Sequence, residues 1–343
     1  MHDTQNEKNN DDGKLSRRAL LAGAAGLALS SQVTAQSGMI PQRPLGKTGI
    51  QVSALGLGGY HLGSTKSQEE TNAIVRQAVD AGVTFFDNCW EYHEGLSEER
   101  LGIALEGLRD RVVLMTKVCT HGRDKKVAMR MLEESLRRLR TDHLDVWQIH
   151  EVVYWNDPDM IFAPNGAAEA LAQAKREGKV RFVGFTGHKD PGIHLNMLSH
   201  DFPFDTIQMP LNCLDATFRS FETAVLPEAN WRGIAPLGMK SMGGSGELVK
   251  HGSVTPAQAL RYAMSLPVAT IISGVDSLEV LRQNLEIARN FQPFSAEEMK
   301  ALRDRCRDAA ADGHLELFKT STVYDGAEGR RQHQYPDAEK LPA

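Results

Sequence analysis

The sequence predicts an α/β fold, a (β/α)8 TIM barrel with an N-terminal β-hairpin and a C-terminal tail. Three observations carry that prediction. Eight short apolar runs recur along the chain, at 54–58, 84–87, 112–117, 144–150, 180–186, 206–210, 233–239 and 270–274. Helix-period patterns lie between them, and strands that alternate with helices build a parallel sheet. Eight such units over about 250 residues fit a closed barrel. The rival, an open doubly wound sheet, lacks its G-x-G-x-x-G signature, because Leu57-Gly58-Gly59 does not supply it and reads into a loop.

Taken in order, residues 1–14 are polar. Ser16-Arg17-Arg18-Ala19-Leu20-Leu21 follows, with a weakly apolar run to Leu29 and small residues Val33-Thr34-Ala35 ahead of Gln36. This resembles a twin-arginine export signal cleaved near Ala35, which implies delivery to the periplasm and the twin-arginine machinery as a partner. The apolar run is far short of the ~20 residues of a spanning helix, so no stable membrane span is expected after processing. Residues 44–53 read as a hairpin turning at Lys47-Thr48-Gly49. The pattern at 69–81 puts Ile74, Ala78 and Ala81 on one helix face, and 124–140 does the same for Met129, Leu132, Leu136 and Leu139. The pattern at 166–178 ends on a helix-stop glycine, and 218–229, 255–265 and 278–289 keep the rhythm. From Asp312 the chain turns polar. The organisation is therefore signal 1–35, barrel 43–310 and tail 311–343.

With 343 residues, 41% hydrophobic and 24% charged, the chain has enough material for one large core or two domains. The formal net charge of -5 carries no electrostatic footprint for nucleic acid. Removing 1–35 takes away four basic and four acidic residues, so that charge stays at -5. Arg137, Arg138 and Arg140 lie just downstream of Glu133 and Glu134 and read as a solvated helix face. Cys89, Cys119, Cys213 and Cys306 form no C-x-x-C, so they read as small buried hydrophobes or a disulfide. Cys89, Cys119 and Cys213 each follow a strand-like run and could gather at one mouth.

The chemistry sits at the run ends. Asp87 closes the second run and Tyr92 lies five residues on, either a capping Asp with a loop Tyr or a proton-transfer pair. Lys117 ends the third run and His150 the fourth, both costly places for polar groups. Parallel strands bring the four residues to one edge, where barrel enzymes keep their chemistry. This order is similar to that of the aldo-keto reductases. Their Asp-x-x-x-x-Tyr matches Asp87 and Tyr92, their strand-end Lys matches Lys117, and their Leu-Asp-x-x-x-x-His matches Leu144, Asp145 and His150. The resemblance runs from about Pro44 to about Asn290. It implies an NAD(P)H-dependent oxidoreductase that reduces a small aldehyde or ketone.

In that reading Asp87 holds Lys117, whose ammonium lowers the pKa of Tyr92, and Tyr92 protonates the carbonyl oxygen. A neutral His150 orients the carbonyl. The hydride comes from a cofactor, since no side chain supplies one. The resemblance places Thr186 and Gln208 at the nicotinamide, with Gly187 where the family has Asn. Met239 packs there, and Lys240, Ser241 and Gly244 lie near the pyrophosphate. Ser273, Gly274, Gln283 and Asn284 fall in the adenosine-phosphate segment. Gly274 and Val280 replace the usual Lys and Arg at a 2′-phosphate, and Asp276 lies between them. NADP(H) is the expected cofactor with its preference weakened, and NAD(H) stays open. Trp90 and His93 are expected to shape the carbonyl pocket. His93, His121, His150 and His188, with Glu151, invite a metal-hydrolase reading, but no H-x-H or H-E-x-x-H spacing supports it, so no metal is expected. A nucleotide-binding sensor without turnover is the other alternative, and the complete tetrad argues against it.

Overall fold

A computed structural model of the chain describes residues 39–119 and 123–332, together with 334, 336 and 340. The expected export signal, its cleavage point at Ala35, and His121 lie outside the described residues. The described chain opens with an antiparallel pair, β1 (Gln42–Pro44) and β2 (Gln51–Ser53). Eight strands follow: β3 (Leu55–Gly58), β4 (Phe85–Asp87), β5 (Val113–Val118), β6 (Leu144–Ile149), β7 (Val180–Thr186), β8 (Thr206–Pro210), β9 (Ala235–Met239) and β10 (Thr270–Gly274). Each pairs in parallel with the next, and β10 pairs with β3, closing the barrel.

Side chains alternate along each strand, so one set fills the lumen and the other faces the helices. Phe85, Met115, Val146, Leu237 and Ile272 form the inner cluster, and Leu45 and Val52 of the hairpin join it. The hairpin thus closes the N-terminal end of the barrel with its own apolar side chains. Burying each large one stabilises by about 1.5–3 kcal/mol. Phe86, Leu114, Trp147, Val183 and Ile207 belong to the larger cluster beneath the helices.

The helices obey local chemistry. Ser67 caps Gln68–Asp80 by accepting from the Glu70 amide, and Asp124 caps Lys125–Arg138 by accepting from Val127. In the latter helix the buried stripe includes Ala128, Met131, Leu132 and Leu136, with Met131 rather than Met129 at its centre. Gly178, at φ 73°, ends the helix Ala167–Arg176 where a stop glycine was expected. The expected helix at 218–229 divides into Phe221–Ala224 and Leu226–Arg232, because Pro227 has no N–H to continue the first. Pro256–Ser265 starts at a capping box of Thr255 and Gln258 and is followed by Leu278–Arg289 and Ala296–Ala310. A five-residue helix, Gly59–Gly63, directly follows β3 where the sequence read as a loop. No helix among the described residues is long and apolar enough to cross a membrane.

Beyond Ala310 the polar tail is not a loose end. Lys319 pairs with Asp215 at 2.6 Å and with Glu316 at 3.0 Å, and all three side chains are shut off from solvent. Lys189 pairs with Asp325 at 2.6 Å, and the Phe318 carbonyl accepts from His188 Nδ1 at 2.9 Å. These contacts strap the tail to the loops that follow β7 and β8, at the C-terminal end of the barrel.

Candidate active site

Strand register explains why distant residues meet. Asp87 ends β4 opposite Met115, while Lys117 on β5 pairs with Gln148 on β6. Both side chains are directed into the lumen and both are buried. Lys117 Nζ donates to Asp87 Oδ1 at 2.5 Å, to the Asn88 carbonyl at 2.7 Å and to Tyr92 Oη at 3.3 Å. Tyr92 opens a tight turn in which His93 and Glu94 hold φ of 53° and 57°, a conformation costing about 1–3 kcal/mol per residue. The turn sets the phenol edge-on to the His150 ring at 6.0 Å between centroids. Asp87, Tyr92, Lys117 and His150 therefore share one face. Low-dielectric surroundings and the Asp87 carboxylate hold the Tyr92 phenol well above its usual range. The expected lowering by Lys117 does not prevail, since burial raises the phenol most and the Asp87 charge adds to it. Tyr92 is a protonated donor across the working pH range.

His150 has neighbours that sequence spacing did not bring to it. Its Nδ1 lies 3.3 Å from Cys89 Sγ, 3.3 Å from Cys119 Sγ and 3.0 Å from Glu91 Oε1. Burial works against a charged ring, but Cys89, Glu91 and Glu151 outweigh it and raise the His150 pKa to about 10. These neighbours favour the imidazolium over the neutral imidazole expected. Burial likewise opposes ionisation of Cys89, yet Cys119 and His150 bring its thiol down to about 7. Cys213 does not join this group; it lies 3.8 Å from Cys306 instead.

The residues expected around a nucleotide line the later strand ends. Thr186 pairs in register with Gln208 across β7 and β8, and both are buried. Gln208 Nε2 reaches Asp87 Oδ2 at 3.4 Å, while its Oε1 and the Nδ2 of Asn88 have no partner among the described residues. Met239 ends β9, and Lys240 follows at φ 56°. Ser241 and Gly243 bridge across the next turn, with Gly244 beside it. On β10, Ser273 Oγ accepts from Asn284 Nδ2 at 3.1 Å, and Gln283 is exposed. A side chain at Gly274 would sit 2.1 Å from the His61 ring, so this glycine makes room for an imidazole.

Trp90 does not join the site. Its indole N–H donates to Glu134 at 2.8 Å and its ring lies under Arg138, so it packs toward a helix rather than toward a carbonyl pocket. His93 bonds the Tyr60 carbonyl at 2.7 Å, and Tyr60 stands edge-on to Tyr92. Tyr60 is thus a mouth residue the sequence reading missed.

The tail supplies others. Tyr324 Oη donates to Glu247 at 2.8 Å, and its ring lies 2.2 Å from where a Gly244 Cβ would stand. Lys240 Nζ lies over the rings of Phe318 and Tyr324 at 5.3 and 4.9 Å, and burial lowers its pKa to about 8. The Gly326 amide donates to Glu151, whose other oxygen lies 2.7 Å from His188 Nε2. A polar sequence carries no local sign of this; only the partners across the mouth reveal it.

Comparison with known proteins completes the picture. Over 196 residues the chain is 33% identical to the aldo-keto reductase YhdN of Bacillus subtilis, a match covering 53% of this chain and 56% of that protein. It is 34% identical over 161 residues to L-galactose dehydrogenase of Arabidopsis thaliana, covering 43% and 49% of the two. The chain thus spans about half the length of these relatives. An aldo-keto reductase from Bacillus halodurans, in its holo form, shares the fold at a TM-score of 0.67, with 23% identity over 81% of this chain and 99% of that one. Residues 54–250, more than half of the chain and including all four strand-end residues, match the model of the aldo/keto reductase family. With its eight-stranded barrel and its Asp, Tyr, Lys and His gathered on one face, the chain belongs to that family.

Proposed function

We propose that this chain reduces the carbonyl of a small aldehyde or ketone, with NADP(H), or NAD(H), as its nucleotide. The observation that carries the reading is the Lys117 ammonium, bonded at once to Asp87 and to the Tyr92 oxygen. The unpartnered Gln208 Oε1 and Asn88 Nδ2 fit a carboxamide, one accepting from its N–H and the other donating to its oxygen. Thr186 and Met239 would complete that pocket. Lys240, Ser241 and Gly244 would hold pyrophosphate, and Ser273, Gly274, Gln283 and Asn284 the adenosine end. When bound, the reduced nicotinamide supplies hydride to the carbonyl carbon. Tyr92 gives its proton to the carbonyl oxygen. Lys117, already donating to Tyr92 Oη, then steadies the phenolate left behind. Asp87 fixes Lys117 in place. The Nδ1 of His150 is taken up by Cys89, Cys119 and Glu91, so Nε2 is left to bond the carbonyl oxygen. Tyr92→Phe should lower carbonyl reduction by roughly 10²–10⁴-fold while nucleotide affinity holds; near-normal turnover would overturn the assignment.

Arg17, Arg18 and the weakly apolar run after them support export of the folded chain, with processing near Ala35 and residence in the periplasm. The nucleotide pocket draws on β7 to β10, so it exists only once the barrel is complete. The nucleotide would be bound in the cytoplasm and carried across by the twin-arginine machinery. Arg17→Lys with Arg18→Lys should hold an active precursor in the cytoplasm, and delivery of that variant to the periplasm would remove the export reading.

A further inference from the structure

We propose that Cys89, Glu91, Cys119 and His150 form a closed, four-ligand site for a single zinc-like divalent cation behind the catalytic imidazole. Sequence spacing held no metal motif, because these ligands come from three separate strand ends. Cys89 and Glu91 follow β4, Cys119 follows β5, and His150 follows β6. The register of the barrel brings the three ends side by side.

One ligand atom from each residue lies within 4.8 Å of every other. The two sulfurs are 3.3 Å apart, each is 3.3 Å from His150 Nδ1, and Glu91 Oε1 is 3.0 Å from the same nitrogen. A tetrahedral zinc with Zn–S of ~2.3 Å and Zn–N or Zn–O of ~2.0–2.2 Å implies ligand–ligand edges of ~3.4–3.8 Å. Four of the six edges are thus that tetrahedron's contracted by a few tenths of an ångström, and the two from Glu91 to the sulfurs lie within 4.8 Å.

Hydrogen bonding accounts for only part of the cluster, since Cys89 Sγ can donate to the Lys117 carbonyl at 3.6 Å or share a proton with Cys119. Nδ1 carries at most one proton, yet two sulfurs and a carboxylate converge on it. A central cation satisfies all four groups together. Both thiols are fully buried and unbridged, and Glu91 is largely covered. A dry pocket of two soft sulfurs, an imidazole and one carboxylate suits zinc better than calcium or magnesium, which take oxygen ligands. On binding, both thiols and the Nδ1 of the imidazolium release their protons to solvent, which leaves the remaining ring proton on Nε2.

The site is closed, since four protein ligands leave no open position for substrate. Its effect on chemistry runs through His150. A cation on Nδ1 fixes the ring proton on Nε2, so the nitrogen facing the mouth is a permanent donor. The same bond holds the ring plane against rotation. This inference does not depend on the reductase reading, because cation binding is measured without nucleotide or substrate.

The test uses the full chain, reduced and stripped with chelator, then titrated with Zn²⁺ and, separately, with Co²⁺. We expect uptake of a single cation per chain, thiolate-to-cobalt charge-transfer bands, and the visible bands of tetrahedral cobalt. Cys89→Ser and Cys119→Ser should each weaken binding by more than about 100-fold, while Cys213→Ser leaves it unchanged. The proposal fails if the reduced chain takes up no cation, if Co²⁺ shows no thiolate bands, or if both serine variants bind as the parent does. A Cys89–Cys119 disulfide in the native protein that resists reductant would also overturn it.

Discussion

Replacing Lys117 by Met removes the group on which the strand-end chemistry is hung. The ammonium is 1% exposed and its partner Asp87 is 5% exposed, so neither is bathed in water. Met keeps most of the side-chain volume but leaves Asp87 Oδ1 and the Asn88 carbonyl without their donor. Both bonds come from a charged donor, and each is worth about 1.5–3 kcal/mol. Their sum, about 3–6 kcal/mol, spans the ~3–5 kcal/mol lost when one member of a buried ion pair is deleted. The remaining contact to Asp87, from Gln208 at 3.4 Å, is too long to compensate. Urea unfolding at neutral pH should therefore show a loss of about 3–5 kcal/mol. Adding Asp87→Asn removes the stranded charge and should return about 1.5–3 kcal/mol of it, a coupling a double-mutant cycle reads directly. A loss below ~1 kcal/mol, or additive single effects, would mean that water reaches Asp87 and the pair is not the dry anchor described.

Two other perturbations probe the same end of the barrel. Lys240 is charged below about 8, so nucleotide affinity should fall as pH rises through that value, by roughly tenfold per unit above it. Glu151, Glu247, Lys117 and Lys189 also face it, and Lys240→Arg, which stays charged, should abolish the inflection in a fluorescence titration. Lys319→Met leaves two carboxylates buried and should cost about 3–5 kcal/mol at neutral pH. Burial raises Asp215 and Glu316 above the usual carboxylate range, so the folded variant holds protons more tightly than the unfolded chain. Its deficit should shrink on acidification, and urea titrations at pH 7 and pH 5 would show the change.

The barrel was legible because its strands are short apolar runs and the residues proposed for catalysis stand at or just past their ends, a pattern that needs no partner to be seen. Helices whose faces are not apolar stripes escaped. Leu96–Ala104 buries Ser97 and Glu98, which are satisfied by the Gly59 carbonyl and by Thr116 and Arg138. Pro191–Ser199 buries His194 among apolar neighbours and has no charged outer face to set the period. The tail's contacts were hidden for a related reason. Glu316, Lys319, Asp325 and Arg330 lie in a stretch that is simply polar in sequence, yet each is buried against a partner far away in sequence or on the next turn. Cys89, Glu91, Cys119 and His150 share that property, for their meeting is a product of strand register. Local spacing records periodicity well and long-range pairing not at all.

The clasp at Lys319 has a consequence for how the molecule reports its own state. Tyr324 rests on the Gly244 turn, so a phosphate bound there as proposed would compete with the Tyr324 ring for one space. Whatever free energy holds the tail down is subtracted from the affinity of the incoming group, and an occupant in turn holds the tail off. Beyond the anchor at Glu316 and Lys319 the tail is still tied by Lys189 to Asp325 and by the Gly326 amide to Glu151, so Tyr324 leaves the turn only if those bonds break. Under the proposed function, occupancy of the turn would then be read at the surface as a change in how readily a protease cuts at 324–332.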